Sequence, residues 1–437
     1  MKLGAPRKVM AIGNTRMSDE GVMSKRIEAI PSTYGRRDFI RAAVGFGAGA
    51  ALGSRALNAL ALEASVSLPF GNGERPLVKY PQKRPLIRLT TRPPQLETPF
   101  AVFDEGAITS NDAFFVRYHL ANAPPLSVDL DTYRIAIKGR VKSPLMLSVE
   151  HLRRQFDPVE VIAVNQCSGN SRGFFDPRVN GGQLANGAMG NARWRGVRLR
   201  DVLNRAGVMA GTRQTTFDGL DEPALETTPD FVKALDIDHA LDGEVLLAYA
   251  MNGENLPMLN GYPVRLVVPG YYGTYWVKHL SEINVVEEPF NGFWMSGTYR
   301  IPDNPCACVP PGTAPAKTTP INRLNVRSFI TNLSSGATIK ADRDVVVRGI
   351  AFDGGYGIRE VEVSDDGGRV WRQVNLGQDL GKYSFREWNT TLRLKPGQHE
   401  LKVRAVNQIG QSQPLEPLWN PMGYMRNVVE TVRVTAA

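Results

Sequence analysis

The sequence predicts an α+β protein in which a mixed α/β domain is followed by a β-sandwich. Between about residues 100 and 286, helical and strand patterns mix without regular βα alternation. After about residue 320 only short strands remain, separated by turn signals at the spacing of a sandwich. The chain has 437 residues, 42% of them hydrophobic, which is enough for two or three packed domains.

Residues 1–64 are predicted to be an export signal of the twin-arginine type. The pair Arg36-Arg37 precedes an apolar, glycine-rich run over residues 42–57, and small residues follow it for cleavage. Gly35 stands where such signals usually carry Ser or Thr, so an ordinary secretory leader is the alternative. The run is too short to span a membrane. We therefore expect that the mature chain is located in the periplasm and has no membrane span.

The positive charge of the chain does not indicate a nucleic-acid partner. Residues 1–64 hold ten Lys/Arg and five Asp/Glu, so more than half of the formal net charge of +9 lies in the predicted signal. The remaining chain has no Lys/Arg run and no basic stripe interleaved with aromatic residues. General nucleic-acid binding is therefore not expected.

The mature chain begins with a segment, residues 65–98, that is rich in Pro and Arg and predicts an extended arm. In the following domain, Leu199, Val202, Leu203 and Ala206 fall on one helical face that Gly207 can close. Strand patterns in this domain cover residues 133–137, 245–251 and 264–268.

The β-sandwich is predicted from residue 321 onward, after a linker at residues 310–319 that is rich in Pro, Gly, Ala and Thr. The run Asp365-Asp366-Gly367-Gly368 predicts a hairpin turn. The predicted strands are residues 345–350, 358–363, 371–376, 391–394 and 399–405.

Cys167 is a candidate for chemistry because four aliphatic residues, 161–164, run into the polar loop that contains it. A side chain just past a buried strand is both rigidly held and reachable. A thiolate is a soft, charged ligand, and Arg172 could keep it deprotonated. A buried structural cysteine is the alternative, and a cysteine hydrolase is disfavoured because no base partner is apparent. Cys306 and Cys308 are separated by one residue and are expected to be free or packed thiols.

Two further segments suggest a binding site for an anion and a heterocycle. Alternation along Phe114–His119 sends Arg117 and His119 to the same side of an extended strand, although a surface salt-bridge strand is the alternative. In residues 267–279, glycines permit close approach to a ligand, and aromatic and lysine side chains suit a flat, phosphorylated heterocycle. Ordinary aromatic packing is the alternative for this second segment.

Taken together, the motifs resemble the sulfite oxidase family, most of all its bacterial sulfite:cytochrome c oxidoreductases. The resemblance covers the chain from about Leu68 to Thr435. Its specific marks are Phe114–Arg117, Asn165–Asn170, Gly261–Arg265 with Val268–Gly270, Trp276–Lys278, and Trp419–Gly423.

The resemblance implies a molybdenum centre held by one pyranopterin dithiolene (molybdopterin), with Cys167 as the protein ligand of the metal. It implies substrate contacts from Arg117, His119, Arg172 and Tyr299. At position 260 the animal enzymes have histidine, whereas this chain has asparagine. The implied contacts of the cofactor are Phe115, Val116, Arg117, Tyr118, His119, Cys167, Asp221, Asn260, Arg265, Trp276, Val277 and Lys278.

The implied activity is oxidation of sulfite to sulfate, with electrons leaving one at a time. The chain has no Cys-x-x-Cys-His haem motif and no Gly-rich dinucleotide motif, so no haem is expected in it. The expected acceptor is a c-type cytochrome, either a subunit or a soluble protein.

The implied domains are a molybdopterin-binding domain of the sulfite oxidase fold at residues 65–320 and an immunoglobulin-like sandwich at residues 321–437. The sandwich would mediate subunit contact, including a possible homodimer. Alternatives are a sulfoxide or nitrate reductase with the same cofactor, or a surface binding protein in which Cys167 is structural. The complete sandwich argues against the sulfoxide reductase, whose chains typically lack it.

Overall fold

The computed structural model describes residues 64–122, 125 and 127–437. The predicted export signal lies outside this part of the chain except for its last residue. The described residues form 26 strands and only four short α-helices. The predicted α+β class, with a strand-rich mixed domain followed by a β-sandwich, is confirmed.

The first sheet corrects the prediction of an unstructured extended arm. Residues 65–98 form hairpins rather than a single extended segment, because their backbone groups pair with one another although their side chains lack a regular alternation. The apolar face of the sheet is closed by a small cluster that includes Leu86, Leu96 and Val116. The sheet is antiparallel and consists of β1 (Ser65–Ser67), β2 (Glu74–Val78), β3 (Leu86–Thr90), β4 (Gln95–Glu97) and β5 (Val116–Arg117).

The second sheet is mixed, with strand order β11-β10-β15-β6-β7. Its one parallel pair joins β15 to β6, and the other pairs are antiparallel. Ile135 and Ile137 alternate toward the core, as the predicted strand required. The strands are β6 (Ile135–Gly139), β7 (Leu145–Leu147), β10 (Gln214–Gly219), β11 (Lys233–Asp236) and β15 (Leu280–Val286).

The third sheet places Cys167 at the end of a long, buried strand. It contains β8 (Pro158–Gln166), β9 (Met189–Arg198), β12 (Leu246–Met251), β13 (Glu254–Asn255) and β14 (Arg265–Val267). The whole of β8 pairs with β9 in one antiparallel register, from Pro158 opposite Val197 to Gln166 opposite Met189. Because nine residues are held in one register, the first residue after β8 has a defined position.

The four helices are short and lie on the surface of the sheets. They are α1 (Val149–Gln155), α2 (Leu199–Ala206), α3 (Ile237–Ala240) and α4 (Phe293–Ser296). The sequence predicts α2 correctly, because its four apolar residues are buried and Gly207 ends the helix with φ of 74°. Helix α1 begins at Ser148, whose hydroxyl accepts from the backbone N–H of His151. None of the helices in the described part of the chain is long and apolar enough to cross a membrane.

A two-stranded hairpin, β16 (Arg300–Pro302) with β17 (Thr318–Pro320), leads from the mixed domain to the sandwich. Its loop corrects a prediction, since Cys306 and Cys308 are joined by a disulfide rather than being free thiols. The bridge is possible because Ala307 turns the chain with φ of 49°, so that the two Cα atoms lie 5.1 Å apart. Cys167 is then the free cysteine of the described residues.

The predicted sandwich is confirmed as two packed sheets. One contains β18 (Arg327–Ile330), β20 (Asp344–Phe352), β23 (Asn375–Leu376) and β24 (Arg386–Arg393). The other contains β19 (Ala337–Ile339), β21 (Ile358–Ser364), β22 (Arg372–Gln373), β25 (Gly397–Asn407) and β26 (Thr431–Ala436). The strand predicted over 371–376 is divided, because β22 pairs with β21 whereas β23 pairs with β24 in the opposite sheet.

The sandwich side of the chain also supports the Cys167 loop. The backbone N–H of Met425 donates to the Ser168 carbonyl at 2.9 Å. Arg327, which begins β18 and is fully buried, donates through both terminal nitrogens to Ser171 Oγ at 3.1 Å. Residues far apart in sequence therefore hold the loop that follows β8.

Candidate active site

A cavity lies where β5, the end of β8 and the segment after β14 come together. Most of the residues that the sequence predicts for the site line it. Those residues are Phe115, Arg117, Tyr118, His119, Cys167, Asp221, Asn260, Arg265, Trp276, Val277, Lys278 and Tyr299.

Cys167 lies on the cavity wall, buried and without a disulfide partner. Its backbone N–H donates to the Ala188 carbonyl at 2.9 Å, and its carbonyl accepts from the N–H of Asn170 at 2.9 Å. These bonds fix the backbone on both sides of the thiol. The sulfur is therefore rigidly aimed, as a metal ligand must be.

The Phe115–His119 segment forms a second wall, but it does not follow the predicted strand alternation, because β5 covers only Val116–Arg117 and Tyr118 also lines the cavity. Arg117 and His119 both line the cavity. Val116 does not, because its side chain packs into the apolar cluster of the first sheet with Leu86 and Leu96. The prediction that Val116 contacts a ligand is therefore not supported for its side chain.

His119 and Tyr299 form a hydrogen-bonded pair on the cavity wall, with Nε2 and the phenol oxygen 2.5 Å apart. The imidazole stacks on Phe231 with ring centroids 3.8 Å apart. Burial, together with Arg117, Lys278 and Lys233, holds the pKa of His119 well below its usual range. Burial raises the pKa of Tyr299. His119 is therefore neutral at pH 7, and the Tyr299 hydroxyl can donate a hydrogen bond to Nε2.

Arg172 does not line the cavity, which corrects its predicted place in the substrate pocket. Its Nε donates to the Met422 carbonyl at 3.0 Å, and its guanidinium lies 4.9 Å from the centre of the Tyr424 ring. Tyr424 in turn stacks on Tyr299 at 5.2 Å. Arg172 therefore faces the Tyr424 ring rather than lining the cavity, and its charge acts on Tyr299.

Cations dominate the charge on the cavity wall. Burial lowers the pKa of Arg265 to about 9, and it holds the pKa of Lys278 well below its usual range. The ammonium of Lys278 lies 3.3 Å from the centre of the Tyr118 ring and donates to the Arg117 carbonyl. Asp221, whose pKa burial raises to about 6, is the acidic side chain among the lining residues. This balance favours an anionic occupant.

Several lining residues were not predicted from the sequence, and some of them carry unpaired polar atoms. Asn165 Oδ1, Ser168 Oγ, Thr274 Oγ1 and Arg265 Nε are buried without a hydrogen-bond partner. Asn165 and Ser168 stand inside the motifs that carry the resemblance, and Thr274 lies in the segment 267–279 that suggested a heterocycle site. Nothing in the sequence pointed to Phe231. The unpredicted lining residues are Phe114, Asn165, Ser168, Phe231, Gly273 and Thr274.

A buried carboxyl, Glu97, supports the loop that holds Cys167. Its Oε1 accepts from the N–H of Ala185 at 2.8 Å, and the Ala185 carbonyl accepts from Ser171 N–H at 2.6 Å. Oε2 has no hydrogen-bond partner. Burial raises the pKa of Glu97 to about 7, against the opposing effect of the N–H groups of Ala185 and Gly187. Glu97 should therefore contribute to the pH dependence of the unfolding free energy.

Glu97→Gln is expected to stabilise the protein at pH 8 by roughly 2 kcal/mol and to have a much smaller effect near pH 4.5. Because the pKa of Glu97 is raised on folding from 4.5 to about 7, the folded state holds more protons between these values. The wild-type unfolding free energy therefore loses this contribution as pH rises through the window, whereas glutamine does not titrate. Urea unfolding from pH 4.5 to 8 measures the difference. Glu105→Gln, at an exposed carboxylate, is the control, and a difference from wild type that is independent of pH would contradict the prediction.

The sequence matches two family models. Residues 121–294 match the oxidoreductase molybdopterin binding domain, and residues 318–437 match the Mo-co oxidoreductase dimerisation domain. The mitochondrial sulfite oxidase of Rattus norvegicus is 34% identical over 81% of this chain and 66% of its own length. The sulfite oxidase of Gallus gallus is 32% identical over 81% of this chain and 79% of its own.

The chain belongs to the sulfite oxidase family.

Membership of the sulfite oxidase family confirms the resemblance seen in the sequence. The chain spans about two thirds of the length of its rat relative. The crystal structure of the sulfane dehydrogenase SoxCD from Paracoccus pantotrophus superposes with a TM-score of 0.68 and 22% identity, covering 90% of this chain and 94% of that chain. At this identity the superposition supports the fold, namely a molybdopterin-binding domain followed by a strand-rich domain.

The cavity fits the molybdopterin group that this sulfite oxidase family domain implies. The unpaired atoms of Asn165, Ser168 and Thr274 provide hydrogen-bonding capacity that a polar heterocycle would use. Gly273 leaves space beside them, because a Cβ there would lie 2.3 Å from Asn165 Oδ1. The buried cations Arg265 and Lys278 suit a phosphorylated, anionic group.

Proposed function

We propose that this protein oxidises sulfite to sulfate at a mononuclear molybdenum-molybdopterin centre in the periplasm and passes the electrons singly to a c-type cytochrome. The observation that carries the proposal is the free thiol of Cys167 on the wall of a cationic cavity. A soft thiolate suits the metal, and the cationic wall suits both an anionic cofactor and an anionic substrate. When bound, the cofactor would supply the two-electron oxygen-transfer chemistry that side chains cannot perform.

Within this proposal, Cys167 holds the metal and the wall residues hold the pterin. Arg265, Lys278 and Asp221 offer charged groups to it, and Trp276 and Phe115 offer apolar contact. Tyr118, Val277 and Asn260 complete the predicted contacts, as does the backbone of the Phe115–His119 segment.

The substrate-binding role falls to Arg117, His119 and Tyr299, because His119 bonds to Tyr299 and the charge of Arg117 acts on both. The Arg117 guanidinium can offer a fork of N–H donors to the oxygens of sulfite. Neutral His119 can accept a hydrogen bond at Nε2 from the Tyr299 hydroxyl or from an entering water. Arg172 contributes indirectly, because its guanidinium faces the Tyr424 ring that stacks on Tyr299.

The periplasmic location and the acceptor rest on sequence features. The Arg36-Arg37 signal suits export of a folded protein that already carries its cofactor. The absence of a Cys-x-x-Cys-His motif from the sequence makes a separate cytochrome the simplest acceptor. The matched dimerisation domain favours a homodimer, and a complex with a cytochrome subunit is the second assembly to test.

The proposal is tested with protein made with its own leader in a host that synthesises molybdopterin. We expect about one molybdenum per chain by elemental analysis, together with sulfite-dependent reduction of cytochrome c. Reduction of sulfoxides or nitrate without sulfite turnover would assign a different reaction to the same cofactor. Folded protein without molybdenum under these conditions would contradict the proposal and favour a binding protein.

A further inference from the structure

Lys83 lies in the turn between β2 and β3, and its ammonium is buried beside the cavity wall. Its Nζ donates to the Asn111 carbonyl at 2.6 Å, to the Phe114 carbonyl at 2.9 Å and to Asn260 Oδ1 at 2.6 Å. All three protons are thus given to neutral oxygens, and none to a carboxylate. Burial lowers the pKa of Lys83 to about 7. Because burial removes the hydration of this ammonium, its hydrogen bonds must offset the loss.

The acceptors of Lys83 belong to two walls of the cavity. Phe114 directly precedes the Phe115–His119 segment, and Asn260 lines the cavity from a different segment of the chain. The Asn260 amide also donates to the Phe115 carbonyl at 3.0 Å. Lys83 therefore fixes the orientation of the amide that joins the two walls.

The same set of bonds continues into a third wall. The carbonyl of Asn260 accepts from Arg265 Nη1 at 2.9 Å, and Arg265 Nη2 donates to the Trp276 carbonyl at 3.1 Å. Lys83 thus lies at the outer end of a buried series of hydrogen bonds that passes through Asn260 and Arg265 to the aromatic wall. A series of this kind holds its members at fixed separations.

Attachment of the first sheet to the rest of the molecule does not require this inward-pointing lysine. The next residue, Arg84, pairs at the surface with Glu105 and Asp112, each at 3.0 Å. It is less buried than Lys83, and its partners lie away from the cavity lining. Lys83 and Arg84 therefore form a natural pair for comparison, since one faces the cavity walls and the other holds the surface of the same turn.

We propose that Lys83 is a positioning residue for the pterin cofactor, holding the Phe115–His119 wall and Asn260 at the spacing that retains the bound group. The proposal rests on the proposed function, because it requires that the cavity take up the cofactor. It gives the first sheet a part in cofactor retention. Lys83 acts through Phe114 and Asn260 and makes no contact with the substrate.

The test compares cofactor retention in the wild type, Lys83→Met and Arg84→Met, each isolated with cofactor and then incubated in cofactor-free buffer. Molybdenum is measured by elemental analysis and pterin by fluorescence after oxidation. Lys83→Met is expected to lose both at least about tenfold faster than the wild type, the effect of removing a charge-assisted hydrogen bond. Arg84→Met is expected to stay within about twofold of the wild type, because its pairs are exposed.

Circular dichroism of each variant separates retention from folding. If Lys83→Met is folded and retains the cofactor as long as the wild type, the proposal is overturned. If it does not fold, Lys83→Gln replaces it, since an amide keeps some donors without the charge. Wild-type retention of the cofactor in the Lys83→Gln variant overturns the proposal equally. Wild-type protein that contains no pterin would instead defeat the proposed function, so the two failures are distinguishable.

Faster amide hydrogen exchange across Phe115–His119 in the cofactor-loaded Lys83 variant provides a second measurement. A role confined to the first sheet would leave these amides unchanged while exchange rose in β2 and β3, and that result would also overturn the proposal.

Discussion

Cys167→Ser is expected to abolish sulfite oxidation, lowering kcat by more than about a thousandfold, and to remove most of the bound molybdenum. Serine differs from cysteine by one atom, so the loop bonds to Ala188 and Asn170 should remain. Its hydroxyl is not ionised near neutral pH and is a hard donor, whereas the thiolate is a soft anionic ligand. The loss would therefore arise from ligand chemistry and not from misfolding.

Elemental analysis and a sulfite-dependent cytochrome c assay measure the two losses, and thermal unfolding of cofactor-free protein checks the fold. The double variant Cys306→Ser with Cys308→Ser is the control, because it removes sulfur from the same chain at the disulfide outside the cavity lining. A Cys167→Ser protein that kept both its metal and its turnover would refute the assignment of Cys167 as the ligand.

The position of Cys167 could be predicted because its signal is local. Four aliphatic residues before a polar loop describe the end of a buried strand, and β8 does end at Gln166. Helix α2 was predictable for the same reason, since its apolar spacing and Gly207 lie within nine residues of one another. Local patterns of this kind need no knowledge of the rest of the fold.

Arg172 shows why some predicted positions differ from those in the structure. Its distance of five residues from Cys167 suggested that the two side chains share a pocket, but Arg172 bonds to Met422, which lies 250 residues away. The Tyr424 ring that the Arg172 guanidinium faces comes from the same distant segment. Contacts made by distant segments leave no trace in the local spacing of the sequence.

The prediction of an extended arm at residues 65–98 failed for a different reason. Residues 65–98 lack strand alternation, and their strands are defined by backbone pairing and by three short hairpins. The importance of Lys83 was equally hidden, because a lysine in a polar turn is usually exposed. Its burial depends on the Phe114 and Asn260 oxygens, which only the folded chain brings to it.

Arg117→Met is expected to lower kcat/KM for sulfite by about 100- to 1,000-fold while leaving the molybdenum content near that of the wild type. The guanidinium lies on the cavity wall beside His119 and would hold the oxygens of the substrate. Much of the loss should appear in KM, because a dianion loses its donor already in the bound ground state. Arg117→Lys should fall between the wild type and Arg117→Met, since an ammonium keeps the charge but not the planar fork.

Steady-state kinetics with sulfite and cytochrome c measures the split between KM and kcat, and elemental analysis reports cofactor retention. Arg195→Met, at an exposed position of β9 outside the cavity lining, is the matched control and should behave as the wild type. If Arg117→Met kept the wild-type KM but lost its molybdenum, Arg117 would have to be reassigned from the substrate to the cofactor. Because Cys167→Ser loses the metal whereas Arg117→Met should not, the two variants together separate metal binding from anion binding in one cavity.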